Sequence, residues 1–186
     1  VQKIRHPGNF RYAWALGTAR QRRQQLVALE RTAYPKAARD LLPSDLDWCV
    51  LTGPNLPQPE YDAIAAMAGP RLTVERFRKD LAGLMASARV SVSQAGYNTV
   101  CDMLVAGCQS VLVPYASGGE TEQSLRADKL AALGLASSLP EDGLTPTAMA
   151  AAIRAALARS GQPRLALRLD GAAETARMLS RMAAAR

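Results

Sequence analysis

Arg89-Val90-Ser91-Val92-Ser93-Gln94-Ala95-Gly96-Tyr97-Asn98-Thr99-Val100-Cys101-Asp102 opens the most informative stretch of this chain. It continues through Gly107 to Val111-Leu112-Val113-Pro114 and closes with Glu120-Thr121-Glu122-Gln123-Ser124-Leu125-Arg126-Ala127. Two short apolar strand patterns each run into a glycine-bearing turn and then a helical pattern, the rhythm of a parallel sheet with crossover helices. In such sheets ligands sit beyond the carboxyl ends of the strands. Turn glycines there admit a ligand to the backbone, and helix N-termini carry partial positive charge. The polar residues of these two turns are therefore the site candidates.

Each candidate also has a purely structural reading. Asn98 can cap the helix that follows it, and Asp102 can be a solvated helix residue. Ser117 with Glu120 fits a capping box, and Glu120 and Glu122 in a first turn would stabilise a helix through its dipole. Capping and ligand binding are compatible uses of one turn.

Outward from this stretch, 186 residues suit one domain, or a domain with a tail, and are enough to bury a sizeable core. Hydrophobic residues at 48% against 21% charged place the chain with globular proteins rather than disordered ones. No apolar run approaches the ~20 residues that span a bilayer. Val1-Gln2-Lys3-Ile4-Arg5 does not lead into a signal-peptide core, so a cytoplasmic location is expected, and a first residue other than Met points to a truncated or processed chain. Cys49, Cys101 and Cys108 have no paired metal-ligand spacing and read as buried or half-buried thiols in a reducing compartment. His6, the single histidine, has no visible acid-base or metal partner, so no metal site is expected.

The charge of +7 is uneven: residues 1–47 carry +5 and the remaining 139 carry +2. A basic end without interleaved aromatics or a nucleic-acid motif argues against nucleic-acid binding. A solvated basic helix explains it, with an anionic membrane surface as the functional alternative.

In chain order, Leu16, Ala19, Leu26, Leu29 and Ala33 give residues 12–39 one intermittent apolar face, which predicts a helix that Pro35 kinks or ends. No strand is expected before Trp48. Asp47-Trp48-Cys49-Val50-Leu51 reads as a buried strand stopped by Thr52-Gly53-Pro54-Asn55. A short helix from Glu60 to Ala68, a strand from Leu72 to Glu75 and a helix from Asp80 to Ala88 follow. Beyond the central stretch come a helix from Glu122 to Leu133 and a short strand within Leu135–Leu139. Thr145-Pro146 then starts an alanine-rich helix running to Arg159. After Gly161 and Pro163, an amphipathic helix from Leu165 to Met182 is expected to lie across the domain. The resulting fold class is α/β, a Rossmann-like parallel sheet with helices on both faces and an atypical N-terminal helix.

From about Trp48 to about Ile153 the chain resembles the C-terminal, donor-binding domain of the GT-B glycosyltransferases related to the bacterial peptidoglycan N-acetylglucosaminyltransferase, the glycosyltransferase family 28 C-terminal domain. The residues that carry the likeness are Ala95, Gly96, Thr99 and Asp102 in the first turn, and Glu120, Glu122 and Gln123 behind the strand ending at Pro114. The resemblance implies one half of a GT-B fold, with the first group holding the nucleotide ribose and the second contacting the donor sugar. Asp102 stands where the family usually carries Glu, one methylene longer. The segment at Phe77 and Arg78 is implied to border the nucleotide base, although Arg78 reads equally well as a surface charge. Arg126, one turn beyond Glu122, would help stabilise the diphosphate. The family's opening strand and glycine-rich phosphate turn are not found, so residues 1–45 are expected to lie outside the resemblance, 46–160 to form the nucleotide-sugar-binding domain and 161–186 a C-terminal helix.

The implied function is a UDP-sugar donor domain for hexosyl or N-acetylhexosaminyl transfer to an acceptor hydroxyl. It would use the UDP-sugar as donor substrate and no further cofactor. No general base is visible, so the catalytic residues stay unassigned and an acceptor-binding domain or subunit is implied as partner. Relatives with lipid-linked acceptors imply a peripheral position at the inner face of a membrane. Two alternatives remain open: a nucleotide-sugar epimerase of the same architecture, and a non-catalytic interaction module that has lost donor binding.

Overall fold

Parallel β-structure, two three-stranded sheets set edge to edge, forms the spine of the protein. The computed structural model describes residues 24–26, 38–54, 56–116, 121–160 and 170–184. Among them the strands are β1 (Gln24–Leu26), β2 (Leu46–Leu51), β3 (Leu72–Glu75), β4 (Val90–Ser93), β5 (Gln109–Leu112) and β6 (Ser137–Ser138). The helices are α1 (Gln58–Ala65), α2 (Leu81–Ser87), α3 (Tyr97–Ala106), α4 (Glu122–Ala132), α5 (Pro146–Ala158) and α6 (Gly171–Ala184).

Every ladder is parallel. β1 pairs with β2, Leu26 opposite Trp48, and β2 pairs with β3, Trp48 opposite Leu72. β4 pairs with β5, Ser93 opposite Leu112, and β5 pairs with β6, Leu112 opposite Ser138. These ladders make two three-stranded sheets, β1-β2-β3 and β4-β5-β6; β1 lies beside β4 with no ladder between them, which sets the two sheets edge to edge in the spatial order β3-β2-β1-β4-β5-β6. That is the doubly wound order, and its direction reverses between β1 and β4, where the crevice beyond the strand ends receives ligands.

Burial shows that both sheet faces are covered. Successive strand residues point to opposite faces, yet Val90, Ser91, Val92 and Ser93 are all fully buried. Ser91 and Ser110 sit side by side and satisfy one another, Oγ to Oγ 2.8 Å. On β2, Asp47 is buried within an apolar run and is held by Arg71 at 3.3 Å. Burial raises the thiol pKa of Cys49 and of Cys108, and all three cysteines are free.

Local chemistry starts and stops the helices as expected in several places. Thr145 Oγ1 accepts the Ala148 N–H at 3.1 Å and Pro146 follows it, opening α5. Met149, Ala150, Ile153 and Ala156 then form one buried face of α5 over β4 and β5. The Asp80 carboxylate accepts the Gly83 N–H at 2.8 Å to cap α2, and a Cβ at Gly83 would land on that carboxylate. Gly107 closes α3 in the left-handed region, φ 64°, its N–H returning to the Met103 carbonyl.

Three expectations need correction. Residues 24–26 are a strand, not part of a helix over 12–39. β1 is fixed by pairing with β2, and that tertiary pairing overrides a weak helical periodicity. Ala38 and Arg39 are helical as expected and the helix continues to Asp40, while the rest of 12–37 lies outside the described residues. Asn98 does not cap α3: Gly96 is the N-cap and Asn98 lies inside the first turn. Finally, the described helix α6 runs Gly171–Ala184 after a non-helical Asp170, residues 161–169 lying outside the described residues, and it does not bury a face against the described domain. None of its residues is buried, and Met178, Leu179 and Met182 are 54%, 59% and 68% exposed. Among the described residues nothing covers that apolar stripe.

Candidate functional site

The turn Gln94-Ala95-Gly96 leaves β4 at the point of strand-order reversal and delivers α3. Gly96 caps α3 through its backbone alone, with no side-chain hydrogen bond, so the first-turn N–H groups keep their partial positive charge available. Gly96 has φ −61°, which any residue can adopt, and a Cβ there would meet nothing closer than Thr99 Oγ1 at 4.0 Å. Its contribution is open space over the backbone, which a ligand can use.

Thr99 and Asp102 stand three residues apart on α3 and share a face. Both are half-buried. Burial holds the Asp102 carboxyl above the usual aspartate range, and no hydrogen bond or ion pair engages it among the described residues. A carboxylate in partly dry surroundings without a partner is a disposition that ligand hydroxyl donors would complete.

The second turn leaves β5 through Val113-Pro114-Tyr115. The Val113 N–H extends the ladder to the Ser93 carbonyl at 2.7 Å, and Pro114 is fully buried. α4 begins at Glu122 after Thr121, which makes no side-chain cap bond. Ser117 and Glu120 lie outside the described residues, so the capping box and the Glu120 contact fall outside them too. Gln123 Oε1 accepts the Tyr115 N–H at 3.2 Å, which anchors its carboxamide and leaves the NH2 as the donor for a ligand. Glu122 is exposed on its outer side and pairs with Arg126 one turn on, as the spacing predicts.

Arg126 joins the two turns. One guanidinium nitrogen donates to the Ala95 carbonyl and another to Glu122 Oε1, while the cation lies 6.0 Å from the centre of the Tyr97 ring. Its side chain is 18% exposed. Tyr97, 70% exposed at the start of α3, was not singled out from the sequence; an aromatic directly after a turn glycine is the signal that would have found it.

Phe77 and Arg78 follow β3, at the same carboxyl edge but on the far strand of the sheet. Phe77 is 61% exposed. Arg78 grips Glu75 through a two-pronged contact, Nε to Oε2 at 3.0 Å, and that hydrogen bond raises its pKa. The loop continues into α2, which packs along α3 and so returns towards the reversal point. The structure thus brings Gly96, Thr99, Asp102, Glu122, Gln123 and Arg126 onto two adjoining turns, with Phe77 and Arg78 on the outer flank.

Doubly wound parallel strands with an open helix N-terminus at the reversal point define the Rossmann-like α/β class. Residues 23–176 match the glycosyltransferase family 28 C-terminal domain, and the chain belongs to that family. The match begins at the edge of β1.

The chain is 36% identical over 103 residues to the UDP-N-acetylglucosamine–N-acetylmuramyl-(pentapeptide) pyrophosphoryl-undecaprenol N-acetylglucosamine transferase of Methylorubrum extorquens. That alignment covers 55% of this chain and 27% of the relative. Among solved structures it is similar to the glycotransferase of kitacinnamycin, with TM-score 0.58 and 19% identity over 86% of this chain and 39% of that one. It is likewise similar to MurG of Acinetobacter baumannii, with TM-score 0.56 and 22% identity over 74% of this chain and 42% of that one. The matched region is therefore about a quarter of the curated relative's length. The structural likenesses establish the fold as one half of the GT-B architecture.

Proposed function

We propose that this chain is the donor-binding domain of a glycosyltransferase that moves a hexosyl or N-acetylhexosaminyl group from a UDP-sugar to an acceptor hydroxyl. One observation carries the reading. Asp102, half-buried and without a partner among the described residues, stands one turn from Thr99 on the helix whose open N-terminus meets the strand-order reversal. A ribose offers two adjacent hydroxyl donors, which would offset the cost of keeping that carboxylate partly dry.

In this reading the amides after Gly96 face the diphosphate, Thr99 and Asp102 hold the ribose, and Gln123 with Glu122 and Glu120 addresses the sugar. Phe77 and Arg78 border the base, and Arg126, whose guanidinium is engaged by the Ala95 carbonyl and Glu122, is given no ligand contact. Transfer breaks the bond from the anomeric carbon to the diphosphate, which leaves as UDP with the electron pair. The acceptor oxygen forms the new bond and gives up its proton to a base. The α3 N-terminus would disperse charge on the departing diphosphate. The base is assigned to an acceptor-binding domain or subunit, since none of the residues gathered here is placed for that task, and no further cofactor is invoked.

The donor named for the curated relatives, UDP-N-acetylglucosamine, is the first to test. A peripheral position at the inner face of an anionic membrane follows from their lipid-linked acceptor. No helix among the described residues is long and apolar enough to cross a membrane.

Calorimetric titration of the chain with UDP and UDP-N-acetylglucosamine tests the reading. Binding of both ligands should weaken in Asp102→Ala, and of the sugar nucleotide alone in Gln123→Ala. A folded wild-type chain that binds neither ligand would sink it.

One observation favours a second reading, a non-catalytic interaction module. No glycine stands between Gly17 and Gly53, so the sequence following β1 lacks the residues of a phosphate turn. Stable self-association with no nucleotide binding would select that reading.

A further inference from the structure

We propose that Arg126 is a positioning residue that locks the sugar-contacting turn of α4 against the ribose-contacting turn of α3, so that sugar recognition depends on it and nucleotide recognition does not. The inference rests on the donor-domain reading and assigns a role to a side chain within that site.

The argument is geometric. Gln123, on the first turn of α4, is tethered to its own connection by the Tyr115 N–H, which fixes its carboxamide relative to β5. That contact does not tie the first turn of α4 to the neighbouring β4–α3 turn, and the core residues of the helix, Ala127 and Leu130, lie beyond that first turn. Arg126, three residues on, supplies the link. It reaches across to the Ala95 carbonyl, which belongs to a fully buried residue directly before Gly96. Its second nitrogen holds Glu122 on the first turn of the same helix, so one planar fork fixes the reach of the side chain as well as its target. The Tyr97 ring lies within cation–π range and completes the surroundings.

A cation whose terminal nitrogens are engaged by a buried carbonyl and a carboxylate is a poor free partner for a diphosphate. It is well suited to keeping two ligand-binding turns at a constant separation. The β4–α3 turn does not need Arg126 to keep its shape. Ala95 is enclosed by the core, Gly96 is followed by a regular helix, and the Val100 N–H closes the first turn on the Gly96 carbonyl at 2.9 Å. Ala127 and Leu130, buried in the core, hold the body of α4, so release of Arg126 frees only its first turn to shift while leaving the ribose and diphosphate contacts in place.

The test compares the affinities of UDP and UDP-N-acetylglucosamine for the full chain and for Arg126→Gln and Arg126→Lys, measured by calorimetry with thermal melting alongside. In Arg126→Gln the affinity for UDP should stay within about twofold, while that for UDP-N-acetylglucosamine falls about tenfold, the usual scale for a lost charge-assisted hydrogen bond. Arg126→Lys keeps the charge and one donor to Ala95 but cannot hold Glu122 in the same fork, so it should rescue part of the loss. If Arg126→Gln does not fold, the ratio of the two affinities in Arg126→Lys carries the test.

Equal losses for the two ligands would mean that Arg126 contacts the shared diphosphate, and would overturn the positioning role. Unchanged affinities in both variants would overturn it as well. A wild-type chain that binds neither ligand overturns the donor-domain reading itself, and so the two failures are distinguishable.

Discussion

Arg126 donates to the carbonyl of Ala95, a residue 31 positions earlier in the chain, and so ties the helix after β5 to the turn after β4. Adjacent crossover units of a doubly wound sheet meet at their carboxyl ends, so two sequence-distant turns form one surface there. In the proposed donor-binding reading, the residues of the two motifs form a single site, joined by a contact that runs between them.

Gly96 and Gly107 make opposite demands on glycine. Gly107 has φ 64°, so Gly107→Ala forces a left-handed conformation and should cost about 1 kcal/mol of stability. Gly96 has φ −61° and open space beside it, so in Gly96→Ala the entropy lost by the unfolded chain and the poorer N-cap offset one another, and the melting temperature of the ligand-free chain should change little. UDP affinity should nonetheless fall in Gly96→Ala, because the added methyl occupies the approach to the α3 amides. A Gly96→Ala chain that binds UDP as the wild type does would place the diphosphate elsewhere.

How far the sequence discloses this arrangement varies along the chain. Where burial and periodicity agree the reading is direct: Asp47–Leu51 is a strand because it is apolar on both faces, and Thr145-Pro146 starts α5 because both residues favour that geometry. β1 was concealed because Gln24 and Gln25 are polar and Leu26 is spaced to fit a helical face. Its identity comes from the partner at Leu46–Trp48, which local pattern does not encode. The run Leu26-Val27-Ala28-Leu29 was the available signal. That Thr99, Asp102 and Gln123 lie beyond the carboxyl ends of β4 and β5 was legible from the strand–turn–helix rhythm, while their proposed roles came only from the family resemblance. The Arg126–Ala95 link was not legible, because it depends on how far apart two crossover units stand. Likewise α6 has a clear amphipathic pattern, yet a pattern states only that an apolar face exists and not what covers it.

Thr145 offers a control in which stability and binding separate. Its hydroxyl satisfies the Ala148 N–H at the start of α5, on the helix that packs against β4 and β5. Thr145→Ala should cost about 1 kcal/mol, read as a lower denaturation midpoint at unchanged slope. UDP affinity should not change. A loss of affinity comparable to that in Asp102→Ala would show that cap-level destabilisation reaches the site, and would weaken any argument from single substitutions there.

Gln123 has a structural task and, in the proposed reading, a binding task, and two substitutions can part them. Its Oε1 accepts from Tyr115, a role that Gln123→Glu retains while the NH2 donor is removed. Both Gln123→Glu and Gln123→Ala should weaken UDP-N-acetylglucosamine by about five- to tenfold with UDP little affected, the scale of one lost hydrogen bond. Only Gln123→Ala should also lower the melting temperature, since it alone leaves the Tyr115 N–H without that acceptor. Loss of UDP binding in either variant would move Gln123 from the sugar to the nucleotide.

Asp102 should couple binding and stability to pH with opposite signs. Burial raises its folded pKa above the unfolded value, so ionisation is penalised in the ligand-free fold. That penalty is fully present above the raised folded pKa and disappears as pH falls below the unfolded one, so this group's contribution makes the ligand-free chain more stable with acidification across that window. Ribose recognition needs the ionised acceptor, so UDP affinity should fall across the same window. Asp102→Asn should remove both dependences. At neutral pH the variant should melt higher than the wild type while binding UDP about tenfold less tightly, with the difference in melting temperature shrinking as the wild-type carboxyl is protonated. A UDP affinity with the same pH profile in wild type and Asp102→Asn would remove Asp102 from the ribose contact, whatever the variant does to stability.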